Sequence, residues 1–232
     1  MAGNPEKLII FDIDGTLMLS GPVIREIFGA AFGKACGKPT VLDGIPFAGK
    51  TDRGIFRMVL STSGVKGEFE TMFSSFVKEF LRELRQVYPR APGPHLMPGI
   101  RDLLDSLEER DGVALALGTG NIQESASIKI GRFDLMKYFP VGGFGDRCET
   151  RAEVFREAIR KAGEHYHWDE SPGKTWVVGD TPADIQAARE CGIRVLAVAT
   201  GPHSVEELER LSPDAVLPDL RNTAEVVSIL NS

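Results

Sequence analysis

Two aspartates, two residues apart, close the first apolar run of this chain: Leu8-Ile9-Ile10-Phe11 leads into Asp12-Ile13-Asp14-Gly15-Thr16. Carboxylates at i and i+2 leaving a strand point the same way while Ile13 turns to the core, so both can face one cleft. Gly15 allows the sharp departure of the backbone that such a loop needs. An Asp-rich turn that only closes an Asx-turn or caps a helix uses the same residue types. A second acidic pair lies in Gly179-Asp180-Thr181-Pro182-Ala183-Asp184, again after an apolar run. Thr181, Pro182 and Asp184 read as the N-cap, first helical position and acidic third position of a capping box, which accounts for Asp184 and leaves Asp180 unexplained. Carboxylates gathered on neighbouring strand ends form an oxygen-rich site suited to a hard divalent cation, with Mg2+ as the natural occupant. Between the two pairs, Leu117-Gly118-Thr119-Gly120-Asn121 offers a hydroxyl and exposed backbone N–H groups before a helix, an anion site by its chemistry. Thr119 or Asn121 acting only as an N-cap is the alternative. Metal-binding carboxylates beside an anion-binding turn together describe a phosphate ester site.

Elements of a particular kind must position these residues. Leu8–Phe11, Val113–Leu117, Trp176–Val178 and Ile193–Ala199 are continuous apolar runs rather than alternating ones, as strands buried on both faces of a parallel sheet require. Tyr138–Val141 and Ala215–Leu217 are weaker candidates. Helical patterns over Ile100–Arg110, Ala152–Ala162, Ala183–Cys191 and Val205–Leu211 alternate with them, which predicts βαβ units and a doubly wound, Rossmann-like α/β sheet. The stretch Pro22–Tyr88 breaks the alternation with three helical segments, roughly 22–35, 52–62 and 67–88, bounded by the Ser20-Gly21-Pro22 turn and the linker Tyr88-Pro89-Arg90-Ala91-Pro92-Gly93-Pro94. The expected organisation is a catalytic core from residues 1–19 and 94–232 with a helical cap, 20–93, inserted after the first strand. Phe69, Met72, Phe73, Phe76, Phe80 and Leu84 form an apolar stripe at helical spacing, best explained as cap core, with a dimer face as the alternative.

The composition excludes several other functions. Of 232 residues, 42% are hydrophobic and 26% charged, values of an ordinary globular chain. Lys plus Arg number 27 against 33 acidic residues, a formal charge of -6 that provides no footprint for nucleic acid. The apolar run after Met1–Lys7 is too short for a signal segment or a membrane span. Cys36, Cys148 and Cys191 are odd in number and without a C-x-x-C pair, which fits a reducing, cytoplasmic location rather than a disulfide framework or a zinc ribbon.

The three motifs, in this order and spacing, resemble the signature of the haloacid dehalogenase superfamily. The similarity extends over nearly the whole chain and points to the branch of phosphoglycolate phosphatases and β-phosphoglucomutases, whose helical cap is inserted where Pro22–Tyr88 lies. The resemblance implies that Asp12 is the nucleophile, forming an aspartyl phosphate, and that Asp14 protonates the leaving alcohol and then activates water. It implies that Asp12, the backbone carbonyl of Asp14 and Asp180 hold Mg2+, that Asp184 supports them or adds a ligand, and that Thr119 bonds the transferring phosphoryl group. Gly15, Gly120 and Asn121 would line the phosphate. The family's usual lysine before the last motif is missing; Arg151, at a predicted helix start, takes its place as phosphate clamp, with Arg147 as second choice, and an arginine forks onto phosphate where a lysine is a point charge. The implied activity is hydrolysis of a small phosphorylated metabolite. Transfer of the phosphoryl group to a sugar, as in a β-phosphoglucomutase, is the alternative. Two aspartates in D-x-D argue against a dehalogenase or a phosphonatase.

Other signals compete. Gly44-Ile45-Pro46-Phe47-Ala48-Gly49-Lys50-Thr51 satisfies the P-loop pattern, but Pro39–Asp43 is too short and polar for the launching strand and Pro46 removes an N–H from the cradle. In the family resemblance the same segment lies in the cap facing the site, where Lys50 would meet an anionic group on the substrate; plain surface exposure is the alternative. His165-Tyr166-His167 is expected in a solvated loop, since i and i+2 side chains share no helix face. Cys148 has no nearby base to make it a nucleophile. The expected partner is a small-molecule phosphate ester, with no nucleic acid and no membrane, bound by a monomer or homodimer.

Overall fold

The computed structural model describes residues 5–167 and 172–232; the first four residues of the Met1–Lys7 segment lie outside them. Six parallel strands form the main sheet: β1 (Lys7–Phe11), β4 (Val113–Gly118), β5 (Val141–Gly143), β6 (Thr175–Gly179), β7 (Arg194–Val198) and β8 (Ala215–Leu217), in the spatial order β5-β4-β1-β6-β7-β8. The order reverses at β1, the switch point at which α/β sheets open a crevice beyond their carboxyl ends.

The pleat divides β1 between two cores. Ile9 and Phe11 join Leu115, Leu117, Trp176 and Val178 on one face. Leu8 and Ile10 join Ala114, Ala116 and Val177 on the other. Strands buried on both faces need apolar residues at every position, which is why these runs are continuous in the sequence. Helices α4 (Ile100–Glu108), α5 (Gln123–Gly131) and α9 (Thr223–Asn231) contribute to the first face, and α6 (Arg151–Tyr166), α7 (Pro182–Cys191) and α8 (Val205–Glu209) to the second.

A two-residue antiparallel ladder pairs β2 (Met18–Leu19) with β3 (His95–Leu96). Between them the chain forms α1 (Val23–Cys36), α2 (Asp52–Ser63) and α3 (Phe69–Val87), within a residue or two of the three expected helices. The predicted stripe is their core. Phe76 is fully buried and its ring lies 4.6 Å from Phe28, 4.9 Å from Phe56 and 5.4 Å from Phe80.

Several details differ from expectation. The weak strand at Tyr138–Val141 is displaced to Val141–Gly143, and Met136–Tyr138 forms a 3₁₀ turn. Glycines are poor strand formers, but α6 packs so closely here that a Cβ on Gly143 would come within 1.9 Å of the Val154 carbonyl oxygen. His165 and Tyr166 end α6 and His167 closes it with φ 55°, so the tract is a helix terminus rather than a loop; the Tyr166 hydroxyl donates to the Leu115 carbonyl at 2.9 Å. The loop at Gly44 follows α1 and residues 37–43 without a strand leading into it, so residues 44–51 lack the strand-to-helix frame of a P-loop. Among the described residues no helix is long and apolar enough to cross a membrane.

The inserted helices touch the sheet domain through the start of α2. The Asp52 N–H donates to the Gly120 carbonyl at 2.7 Å, and the Asp52 carboxylate accepts from the Ile122 N–H at 2.9 Å. Ile122 precedes α5 and provides no side-chain cap of its own, so Asp52 satisfies one of the orphan donors at that helix start. Burial pushes the Asp52 carboxyl up to about 6 against the pull of Lys129.

Two predictions follow from this packing. Phe76→Ala should destabilise the chain by about 3–5 kcal/mol in urea unfolding, the range for emptying a buried aromatic site. A loss under 1 kcal/mol would mean that the three helices are not packed through this ring. Because Asp52 keeps its proton to a higher pH when folded than when unfolded, its contribution to stability should fall as pH rises from about 4 to about 6. Asp52→Asn removes that contribution, so the variant's stability relative to wild type should increase across this window and level off above it, measured by urea unfolding at several pH values.

Candidate active site

The ends of β1, β4 and β6 bring the three motifs together. Asp12 directly follows β1, and its N–H donates to the Val178 carbonyl of β6 at 3.0 Å. Asp12 is 5% exposed, with one carboxylate oxygen 3.0 Å from the Arg151 guanidinium. Arg151 is the first residue of α6, where a Thr150/Glu153 capping box fixes the helix start. Since α6 packs on the sheet face that holds Leu8 and Ile10, a side chain two residues beyond Ile10 leaves the strand toward the same helix. This is why Asp12 and Arg151 meet. The Arg151 Nε also donates to Asp184 at 2.9 Å, and its guanidinium carbon lies 5.3 Å from the Phe155 ring centroid. Arg147, the second choice for the clamp, is exposed and does not line the cavity.

Asp12, Asp180 and Asp184 are all buried, and one carboxylate oxygen from each lies within 4.8 Å of the others. Burial pushes Asp12 up to about 6 while Arg151 opposes the shift. Asp180 is raised well above the ordinary carboxylate range, first by burial and then by the neighbouring charges of Asp12 and Asp184. One Asp180 oxygen accepts from the Thr16 hydroxyl at 3.1 Å. The other sits in a notch shaped by two glycines: a Cβ on Gly15 would stand 2.3 Å from it and one on Gly201 1.8 Å. Gly15 has φ +92°, so both backbone conformation and space demand glycine there. Three buried carboxylates facing one guanidinium suit a hard divalent cation, whose charge would offset their mutual repulsion. Asp184 contributes to this charge while its oxygens are already engaged, one by Arg151 and the other by the Thr181 N–H at 3.1 Å and hydroxyl at 2.6 Å.

Thr119 follows β4 and is fully buried; its N–H donates to the Gly143 carbonyl at 3.1 Å and its Oγ1 accepts from the Asn121 amide at 2.7 Å. Asn121 also donates to Asp14 at 2.8 Å. Gly120 allows the inserted segment to approach, since a Cβ there would lie 2.1 Å from the Lys50 carbonyl oxygen. Lys50 is exposed and lines the mouth of the cavity.

Sequence reasoning missed Lys129. It is 3% exposed on α5, and its ammonium donates to Asp14 at 2.8 Å and to the Asn121 side-chain oxygen. The Ser20 hydroxyl donates to the other Asp14 oxygen. Lys129 and these hydrogen bonds hold Asp14 below its ordinary range despite burial, so Asp12 and Asp14, two residues apart, are driven in opposite directions. The available signal was spacing: Ser125, Ala126, Lys129 and Ile130 form the buried face of α5, and a lysine within such a stripe needs a buried partner. A cavity of about 580 Å³ opens over Asp12, Asp14, Thr119, Lys129, Arg151 and Asp180.

Comparison with known proteins agrees with this arrangement. The family model for haloacid dehalogenase-like hydrolases matches residues 9–198. A phosphoglycolate phosphatase of Rhodobacter capsulatus is 27% identical over 200 residues, covering 83% of this chain and 84% of that protein. A phosphorylated carbohydrates phosphatase of Thermotoga maritima is 26% identical over 196 residues, covering 81% and 82%. Among solved structures, a predicted phosphatase from Clostridium acetobutylicum superposes with a TM-score of 0.73 at 18% identity, covering 97% of this chain and 99% of that one. A β-phosphoglucomutase from Clostridium difficile does so with a TM-score of 0.69 at 14% identity, covering 98% and 97%. With its motifs on three adjacent strand ends and the family model spanning most of its length, the chain belongs to the haloacid dehalogenase-like hydrolase family.

Proposed function

We propose that the chain is a Mg2+-dependent phosphomonoester hydrolase acting on a small phosphorylated metabolite through an aspartyl phosphate on Asp12. The observation that carries this reading is the position of Asp12: one oxygen against Arg151, within the buried carboxylate group, at the floor of an open cavity. The phosphatase names of the curated relatives support it.

In this reading the Asp12 carboxylate attacks phosphorus, the P–O bond to the alcohol breaks, and Asp14, which Lys129 favours as a carboxylate in the free chain and which therefore has to take up a proton as the anionic ester binds, gives that proton to the departing oxygen. In the second step Asp14 takes a proton from water, which attacks the aspartyl phosphate and releases phosphate and free Asp12. Arg151 and the Thr119 hydroxyl face the phosphoryl oxygens, where negative charge spreads in the transition state. Asp12, Asp180 and the backbone carbonyl of Asp14 would hold Mg2+, with Asp184 acting from behind through Arg151. The cation would neutralise phosphoryl charge and orient the ester. Lys129 and Ser20 keep the Asp14 carboxyl aimed. Residues 20–93 would act as a cap, with Asp52 docking it onto α5 and Lys50 facing the leaving group, so that water is excluded during the first step.

Steady-state hydrolysis of small phosphate esters, with and without Mg2+, tests this reading. Wild type should require the cation, and Asp12→Asn should lower kcat by at least about 10³-fold, as expected for loss of a covalent nucleophile. Full activity in Asp12→Asn, or a wild type inactive on every ester, would overturn it. Arg151→Lys should retain the fold but lower kcat/KM about tenfold or more, because the donors of an ammonium radiate from one point and do not reproduce the planar, spaced fork with which the guanidinium reaches Asp184 and Asp12 together.

A further inference from the structure

The cavity holds more than its charged floor needs. At about 580 Å³ it is well above what a phosphoryl group with a two-carbon alcohol occupies. Its volume lies within the range of pockets that take ligands of several rings.

The chemistry of its walls is lopsided. Away from the floor the cavity is lined by Leu19, Pro22, Ile24, Phe47, Ile55 and Pro202, none of which offers a side-chain hydrogen bond. Of the polar side chains on the wall, the exposed Lys50 and His95 stand open at the mouth, and the others are committed within the protein. Ser20 donates to Asp14, Thr200 donates to the Gly15 carbonyl, and Asp52 accepts from Ile122. A polyhydroxylated alcohol would therefore bury hydroxyls against apolar wall and leave them unpaired, a cost that selects against it.

The aromatic part of that wall is fixed in place. Arg25 of α1 donates to the carbonyls of Leu42 and Ile45, which holds residues 42–47 against the helix. Its guanidinium stands 4.3 Å from the Phe47 ring centroid, and Phe28 meets the same ring edge-on at 5.3 Å. Phe47 thus enters the cavity as a braced surface. A side chain held by neighbours on its other sides loses little freedom when a ligand packs on it.

Building on the phosphatase reading above, we infer that the substrate is a phosphate monoester whose alcohol carries a bulky apolar or aromatic body, seated against Phe47, Ile24 and Ile55. A small hydroxy acid could meet Lys50 at the mouth but would leave the apolar wall unfilled, and a polyhydroxylated sugar does not match that wall. Apolar contact made throughout the reaction is uniform binding, so its benefit appears chiefly in KM.

The test compares esters with the same kind of primary C–O–P bond, so that leaving-group reactivity does not dominate: 2-phenylethyl phosphate, phosphoglycolate and glucose 6-phosphate, with wild type and Mg2+. The expected result is a kcat/KM for 2-phenylethyl phosphate at least tenfold above either of the others, carried mainly by a lower KM. Phe47→Ser and, separately, Ile24→Thr should each reduce that preference several-fold. Phosphoglycolate or glucose 6-phosphate turning over as well as the phenylethyl ester would overturn the inference while leaving the phosphatase reading intact. Absence of turnover on all three esters would remove both.

Discussion

Negative charge confined where water is scarce dominates this molecule. Asp12, Asp180 and Asp184 converge within 4.8 Å at the ends of buried strands, and Arg151 is the cation within their group. Carboxylates in such a place repel one another and lose hydration, so they protonate, pair or bind a cation. The rise of Asp12 to about 6 and the larger rise of Asp180 express that tension. A folded chain keeps such a cluster only when the surrounding structure determines it strongly.

The sheet supplies that determination. Continuous apolar strands, buried on both faces, fix the direction of each strand end, and the pleat sends Asp12 to the side where α6 presents Arg151. Capping boxes at Thr150 and Thr181 set the first turns of α6 and α7, so that Arg151 and Asp184 meet with little freedom. On the opposite side of the cleft, Asp14 is restrained by Ser20, Asn121 and Lys129. The two aspartates of one short motif therefore occupy different electrostatic environments. The inserted helices meet this arrangement through Asp52, which accepts from the Ile122 N–H at the start of α5 and so joins them to the helix that carries Lys129.

Much of this was legible in the sequence because it depends on local rules. Double-sided burial writes itself as unbroken apolar runs, so the four main strands, and with them Asp12, Thr119 and Asp180, could be placed. Thr181 announced its helix by cap chemistry, and Arg151 was placed at a helix start, whose Thr150 cap the structure supplies. The features that escaped depend on contacts between distant segments. Helix α5 blurs its pattern because its buried face includes Ser125 and Lys129; spacing could have marked that lysine as in need of a buried partner, but that the partner is Asp14, 2.8 Å away, comes only from the fold. Asp52 reads as an ordinary first-turn residue of α2, and only the docked geometry shows it capping α5. The strand of Val141–Gly143 was misplaced because its glycines answer to the approach of α6 rather than to strand propensity.

The central claim, that the excess charge of the carboxylate group is there to hold a divalent cation, is tested most directly without measuring catalysis. Thermal unfolding would be followed at increasing Mg2+ for wild type and for Asp180→Asn. A ligand that binds only the folded state raises the midpoint with concentration. The account predicts a saturable rise in wild type, strongly reduced in Asp180→Asn. A midpoint independent of Mg2+, or an equal rise in the variant, would contradict it.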